Sequence, residues 1–193
     1  MATVRSICVF CGSSGRVHAR YRTAAAAFGA LLAANGMRLV FGGGHIGLMG
    51  VVADAVIAGG GEAIGVIPEF LVARELAHTR LTELRVVPSM HARKQVMFEL
   101  ADAFAALPGG VGTLEETLEV ITWRELSLHD KPIVLVDVAG YWQPLLALFD
   151  HLAAERFTRR HKRLFAVAAS PQLALDAFAR APEPALEPSL ERT

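Results

Sequence analysis

The sequence predicts an α/β protein of Rossmann-like type, a doubly wound parallel sheet with helices on both faces. Three observations lead there. Short apolar runs alternate with helix-like stretches along most of the chain. The runs are apolar nearly throughout, as strands covered on both faces require. The glycine-rich segments follow those runs, at the strand ends where such sheets bind ligands.

Taken in order, residues 6–10 (Ser-Ile-Cys-Val-Phe) form the first predicted strand. An alanine-rich helix follows over about residues 19–35, stopped by Gly36. Residues 37–41 are the second strand. A glycine loop and a helix over about residues 47–58 lead to a third strand at residues 62–67. A less regular stretch containing Pro68 comes before a strand at residues 81–87. Pro88 and the N-cap candidate Ser89 then open a helix over about residues 90–101. The strand at residues 103–107, a helix after Thr113, the strand at residues 133–136 and a helix after Tyr141 complete the series. Residues 1–180 are expected to form a single nucleotide-binding domain. Residues 181–193, with Pro182, Pro184 and Pro188, read as an unstructured tail.

Composition narrows the function classes. The 193 residues carry 19 basic and 19 acidic side chains, a formal net charge of zero. A neutral chain has no global field to attract nucleic acid or an anionic membrane, so any anion it binds needs a local site. Mean hydropathy is high at +0.38, but much of it is alanine in helix-like stretches, and no apolar run reaches the length of a membrane span. The N-terminus passes straight into a strand pattern without a signal-peptide layout, so the expected location is the cytoplasm. Cys8 and Cys11 form a C-x-x-C. Residues three apart on a strand point to opposite faces, so these thiols are not expected to pair, and no second cysteine pair completes a zinc site.

The segment Pro108-Gly109-Gly110-Val111-Gly112-Thr113-Leu114-Glu115-Glu116 is the most informative. It lies between a strand and a helix, and its glycines let backbone approach a ligand. The free N–H groups and positive dipole end of the helix make an anion site beside the carboxylate of Glu116. Thr113 and Glu116 also fit a capping box. That alternative explains those two residues but leaves Pro108, Gly109 and Gly110 without a reason. Gly42, Gly44 and Gly47 satisfy G-x-G-x-x-G, a dinucleotide signature. The acid about twenty residues on, Glu62, begins its strand rather than ending it, so the pattern argues against NAD. Gly43 and Gly44 are instead expected to let backbone approach part of a nucleotide. Cys11, Gly12 and Ser13 end the first strand in a similar small-residue loop. In Ser89-Met90-His91-Ala92-Arg93-Lys94 two cations fall near a helix start, where they oppose the macrodipole by about 0.3–1 kcal/mol each. A bound anion would reverse that conflict, which marks Arg93 as functional. Met90 and Lys94 join it as candidate binding residues.

Assembled, these motifs make the chain similar to the LOG (Lonely Guy) family of cytokinin riboside 5′-monophosphate phosphoribohydrolases. The matching pieces are Cys11-Gly12-Ser13-Ser14, Phe41-Gly42-Gly43-Gly44 with Gly47-Leu48-Met49-Gly50, Met90-His91-x-Arg93-Lys94, and Pro108-Gly109-Gly110-x-Gly112-Thr113-x-x-Glu116. The run Glu119-Val120-Ile121-Thr122-Trp123 and then His129-Asp130-Lys131-Pro132 match as well. The resemblance implies a homodimer that cleaves the N-glycosidic bond of adenine-type nucleoside 5′-monophosphates, without a metal or redox cofactor. It implies that Arg93 and Glu116 are the catalytic pair and that Gly110, Val111, Gly112 and Thr113 hold the phosphate. Glu115 and Thr122 fall at ligand positions. Such proteins have often been labelled lysine decarboxylases, yet none of Lys94, Lys131 and Lys162 has the setting of a pyridoxal phosphate lysine. The alternative is a non-catalytic carrier of a phosphorylated nucleotide or pterin, which needs no acid at Glu116.

Overall fold

In the computed structural model, which describes residues 4–75, 77–158 and 164–181, the strands join in one seven-stranded sheet. The strands are β1 (Ser6–Phe10), β2 (Arg38–Phe41), β3 (Ala63–Pro68), β4 (Glu83–Val87), β5 (Ala103–Ala106), β6 (Ile133–Val136) and β7 (Ala166–Ala168). Their order is β4-β3-β2-β1-β5-β6-β7, with every pairing parallel. The helices are α1 (Ala19–Ala34), α2 (Gly47–Ala58), α3 (Glu69–Glu75), α4 (Met90–Leu100), α5 (Val111–Glu125), α6 (Gln143–Ala154) and α7 (Pro171–Ala179). The doubly wound parallel class expected from the sequence is the one observed.

Strand alternation sorts the core into two layers. Ile7, Val9 and Cys11 face the layer containing Phe28 and Leu32 of α1, Val52 of α2 and Phe178 of α7. Cys8 and Phe10 face the other, with Met97 of α4, Val120 and Ile121 of α5, and Phe149 of α6. The two cysteines therefore lie on opposite faces, and both are free thiols. The alanine content of α1 has a packing reason. A Cβ at Gly29 would lie 2.4 Å from the carbonyl oxygen of Val52, so α1 and α2 pack almost backbone to backbone. A large side chain at position 29 would separate them.

Three differences from the sequence reading matter. The stretch after β3 holds a helix, α3, with Pro68 as the last residue of the strand before it. The final third adds β7 and α7, the latter capped by Ser170 and started by Pro171. And α5 begins at Val111 with Gly110 as its N-cap, so Thr113 is the third helical residue and no capping box forms. The tail expected from 181 onward lies, from 182, outside the described residues. Among the described residues no helix is long and apolar enough to cross a membrane, and no group of three or more His, Cys, Asp or Glu is placed to hold a metal.

Candidate active site

The strand order reverses at β1, which pairs with β2 on one side and β5 on the other. Register aligns their carboxyl ends, Val9 opposite Phe41 and Phe10 opposite Ala106, so the loops after all three strands emerge side by side. A cleft of about 320 Å³ opens there. Cys11, Gly12 and Ser13 line it from the β1 loop; Gly110, Val111, Gly112, Thr113, Glu115 and Glu116 line it from α5 and its entry. Met90 and Arg93 reach it from α4, and Met49 and Leu71 from α2 and α3.

The loops brace one another. The Gly12 N–H donates to the Pro108 carbonyl at 3.1 Å, and the Gly12 carbonyl accepts from the Leu48 N–H at 2.8 Å. Gly47 has φ +69°, and a Cβ on it would fall 2.4 Å from the Ser13 carbonyl carbon, so only glycine fits that corner. The Tyr141 hydroxyl donates to the Gly109 carbonyl and pins the far side of the β5 loop. A site held this way is formed before anything binds.

The start of α5 is the polar floor. Gly110 is in extended conformation and α5 has no side-chain cap. The bond from the Leu114 N–H to the Gly110 carbonyl, at 3.0 Å, leaves the Val111, Gly112 and Thr113 N–H groups as the first-turn donors at the positive dipole end. A Cβ at Gly109 would lie 2.0 Å from Thr113 Oγ1, so packing explains that glycine. At Gly110 and Gly112 a Cβ would meet nothing within 4 Å, and neither has a positive φ. Their glycines are unexplained by the protein itself and keep space clear beside the donors.

Arg93 and Glu116 face each other above this floor, with 6% and 9% of their surfaces exposed. Ser89 caps α4 by accepting from the Ala92 N–H at 3.1 Å, which fixes the helix that carries Arg93. Arg93 Nη2 lies 3.8 Å from Glu116 Oε1, an ion-pair distance longer than a hydrogen bond. Arg93 Nη1 lies 3.8 Å from the Met90 sulfur, and Arg93 Nε is buried without a partner among the described residues. An unsatisfied buried donor costs roughly 1–3 kcal/mol, so a cation left like this calls for a ligand group. Burial, with the Glu116 charge adding to it, pushes the Cys11 thiol well up, and Cys8 likewise. Neither thiol is an activated nucleophile.

Four sequence candidates sit elsewhere or are engaged within the protein. Gly43 and Gly44 do not line the cleft. The Gly43 carbonyl accepts from the His78 N–H at 2.9 Å, and Gly44 forms an antiparallel bridge to Ala77. Lys94 is ion-paired with Glu115 and, at 2.9 Å, with Glu119, tying α4 to α5. Burial acts to lower its pKa, but the hydrogen bonds and charges of the two glutamates together raise it. Thr122 is exposed, with its hydroxyl donating to the Leu118 carbonyl at 2.8 Å. Conversely, Met49 and Leu71 line the cleft without having been candidates. Met49 stood in the quoted Gly47-Leu48-Met49-Gly50 stretch; Leu71 lies on the helix that the sequence did not reveal.

Residues 49–178 match a family model described as "Possible lysine decarboxylase". The chain is 49% identical over 160 residues to cytokinin riboside 5′-monophosphate phosphoribohydrolase LOG1 of Arabidopsis thaliana, covering 81% of this chain and 75% of that protein. It is 49% identical over 156 residues to the cytokinin riboside 5′-monophosphate phosphoribohydrolase of Rhodococcoides fascians, covering 80% and 79%. The solved structure of the Moco carrier protein from Chlamydomonas reinhardtii superposes with a TM-score of 0.71 at 22% identity, covering 93% of this chain and 98% of that one, which shows the shared fold. The decarboxylase description finds no matching lysine among the described residues. Lys94 is held by two glutamates, and Lys131 Nζ donates to the Phe98 carbonyl at 2.7 Å. Lys162 lies outside the described residues.

Proposed function

The chain belongs to the LOG family of cytokinin riboside 5′-monophosphate phosphoribohydrolases, and from that premise we propose that it hydrolyses the N-glycosidic bond of adenine-type nucleoside 5′-monophosphates. The products are the free base and ribose 5-phosphate. The observation that carries the reading is the buried Arg93–Glu116 pair set beside an uncapped helix N-terminus. An anion floor with an adjacent acid suits a phosphorylated substrate that is cleaved, not only held.

The phosphate sits on the Val111, Gly112 and Thr113 N–H groups, where backbone donors and the α5 dipole favour a dianion. Gly12 and Ser13 face the sugar from the β1 loop, and Met49, Leu71 and Met90 give the base an apolar wall. As the C1′–N9 bond breaks, its electron pair leaves with the base and positive charge builds on the ribose. The Glu116 carboxylate stabilises that cation and takes a proton from the attacking water, whose oxygen bonds to C1′. The departing base is protonated at nitrogen, so one water is consumed per turnover. Arg93 offers its guanidinium, with Nε unsatisfied among the described residues, to the nucleotide beside Glu116, on the phosphate or on the leaving base. Glu116 also supports hydrolysis over the carrier alternative, which has no use for an acid.

Two further features belong to this reading. Val111 and Leu118 of α5 lie exposed, as does Leu126 just past its end, an apolar surface suited to a second copy in a homodimer. Sedimentation equilibrium tests it, and a monomer at micromolar concentration overturns it. Two free thiols suit a reducing cytoplasm; cell fractionation tests that placement. The activity is tested by offering AMP and adenosine in parallel. Adenine should be released from AMP and hardly at all from adenosine, whereas equal turnover of the two would refute a role for the helix floor.

A further inference from the structure

Gly42 is the first residue after β2, and a side chain there would run into Arg93. A Cβ built on Gly42 lies 1.7 Å from Arg93 Nη2, 2.9 Å from Arg93 Cζ and 3.3 Å from the Met49 sulfur. Gly42 is not among the glycines with positive φ, so its backbone conformation does not require glycine; the guanidinium does. Little else holds that group. Glu116 is 3.8 Å away, the Met90 sulfur is 3.8 Å away, and Nε has no partner among the described residues. Elsewhere buried guanidinium groups are fixed by hydrogen bonds. Here the position is fixed by shape, in a slot formed by the bare Gly42 backbone and the thioethers of Met49 and Met90.

We infer that Gly42 is a positioning residue for Arg93: the absent side chain makes the slot that holds the guanidinium beside Glu116 with its Nε donor unspent. Because Phe41 is paired with both Val9 and Gly65, the adjoining Gly42 is anchored to the sheet. The guanidinium is the free end of a flexible chain. When the two conflict, the guanidinium moves. Gly42→Ala therefore displaces the catalytic arginine more than it disturbs the fold. The inference rests on the proposed role of Arg93.

The test is a double-mutant cycle of Gly42→Ala and Arg93→Ala, read by AMP hydrolysis and thermal melting, together with a crystal structure of Gly42→Ala. Gly42→Ala should lower kcat/KM by roughly 100-fold or more, as loss of a transition-state donor does. On the Arg93→Ala background it should change kcat/KM by less than about twofold, since its only route of action is gone. A melting penalty of Gly42→Ala should shrink on that background as well. Equal costs on the two backgrounds would overturn the inference. If the wild type does not hydrolyse AMP, the functional reading fails separately, and the crystal structure decides this one. Arg93 Cζ displaced from the slot supports it; Arg93 in place with the position 42 backbone shifted overturns it. If Gly42→Ala does not fold, the double variant decides, with restored folding in support and failure on both backgrounds against.

Discussion

Gly112→Ala separates the two reasons a helix could begin with glycine. Gly112 is the second residue of α5, and a methyl group there meets nothing within 4 Å. If only the protein mattered, alanine would be better. It is favoured over glycine in a helix interior by about 0.8–1.0 kcal/mol, and about half of that is a fair expectation in a first turn. For a chain of this size the gain corresponds to a melting temperature raised by roughly 1–2 °C. The same methyl intrudes where the phosphate must approach the first-turn N–H groups. Losing one hydrogen bond to a charged group costs about 1.5–3 kcal/mol, equivalent to roughly 10- to 100-fold in kcat/KM for AMP. Scanning fluorimetry and adenine release, measured on one preparation, read both effects. Gly109→Ala is the control of opposite sign, because its Cβ would strike Thr113 Oγ1 at 2.0 Å. That variant should melt lower. A Gly112→Ala protein that melts higher and keeps wild-type kcat/KM would remove the phosphate from this helix end.

Glu116→Gln loses no helix cap, because Gly110 holds that position, so turnover should fall by about 10²–10⁴ while the fold persists; wild-type kcat in that variant would remove the acid from the mechanism. Stability should respond to acid through His129. Burial holds its pKa below the ordinary 6.5; Nε2–H donates to the Val120 carbonyl at 2.8 Å and Nδ1 accepts from the Lys131 N–H at 3.1 Å. The fold thus favours the neutral ring, and its contribution is complete above pH 6.5 and lost as pH falls through the depressed folded value. Melting curves of wild type and His129→Gln should diverge at neutral pH and converge on acidification; parallel curves would refute the assignment. Both cysteine thiols, buried and raised, should resist iodoacetamide at pH 8 in the native protein and react on unfolding, read as intact mass.

What was legible in the sequence followed from local pattern. β1, α2 and β6 begin and end where the apolar runs and glycines place them. The glycine segment after β5 and the cations at the start of α4 singled out residues that the fold does bring to one cleft, Gly110 to Thr113 and Arg93. What was not legible depended on tertiary contact. α3 is only seven residues long, too short for a helical period to show, so Leu71 went unseen. Thr113 and Glu116 have capping-box spacing, but the N-cap is Gly110, three residues before Thr113, so the box does not form. Lys94 read locally as a binding cation. Its partners, Glu115 and Glu119, are 21 and 25 residues away and meet it only once α4 packs beside α5. Gly43 and Gly44 read as nucleotide contacts, but the Gly43 carbonyl accepts from the His78 N–H and Gly44 bridges to Ala77, residues more than 30 positions away.

The most direct test of the account is a product balance on isopentenyladenosine 5′-monophosphate incubated in excess with the purified protein. Chromatography of base and sugar phosphate should show isopentenyladenine and ribose 5-phosphate formed in equal amounts, over many turnovers per protein chain and without added cofactor. Recovery of the nucleotide intact, bound at one per chain with no free base, would contradict hydrolysis and leave the protein a carrier.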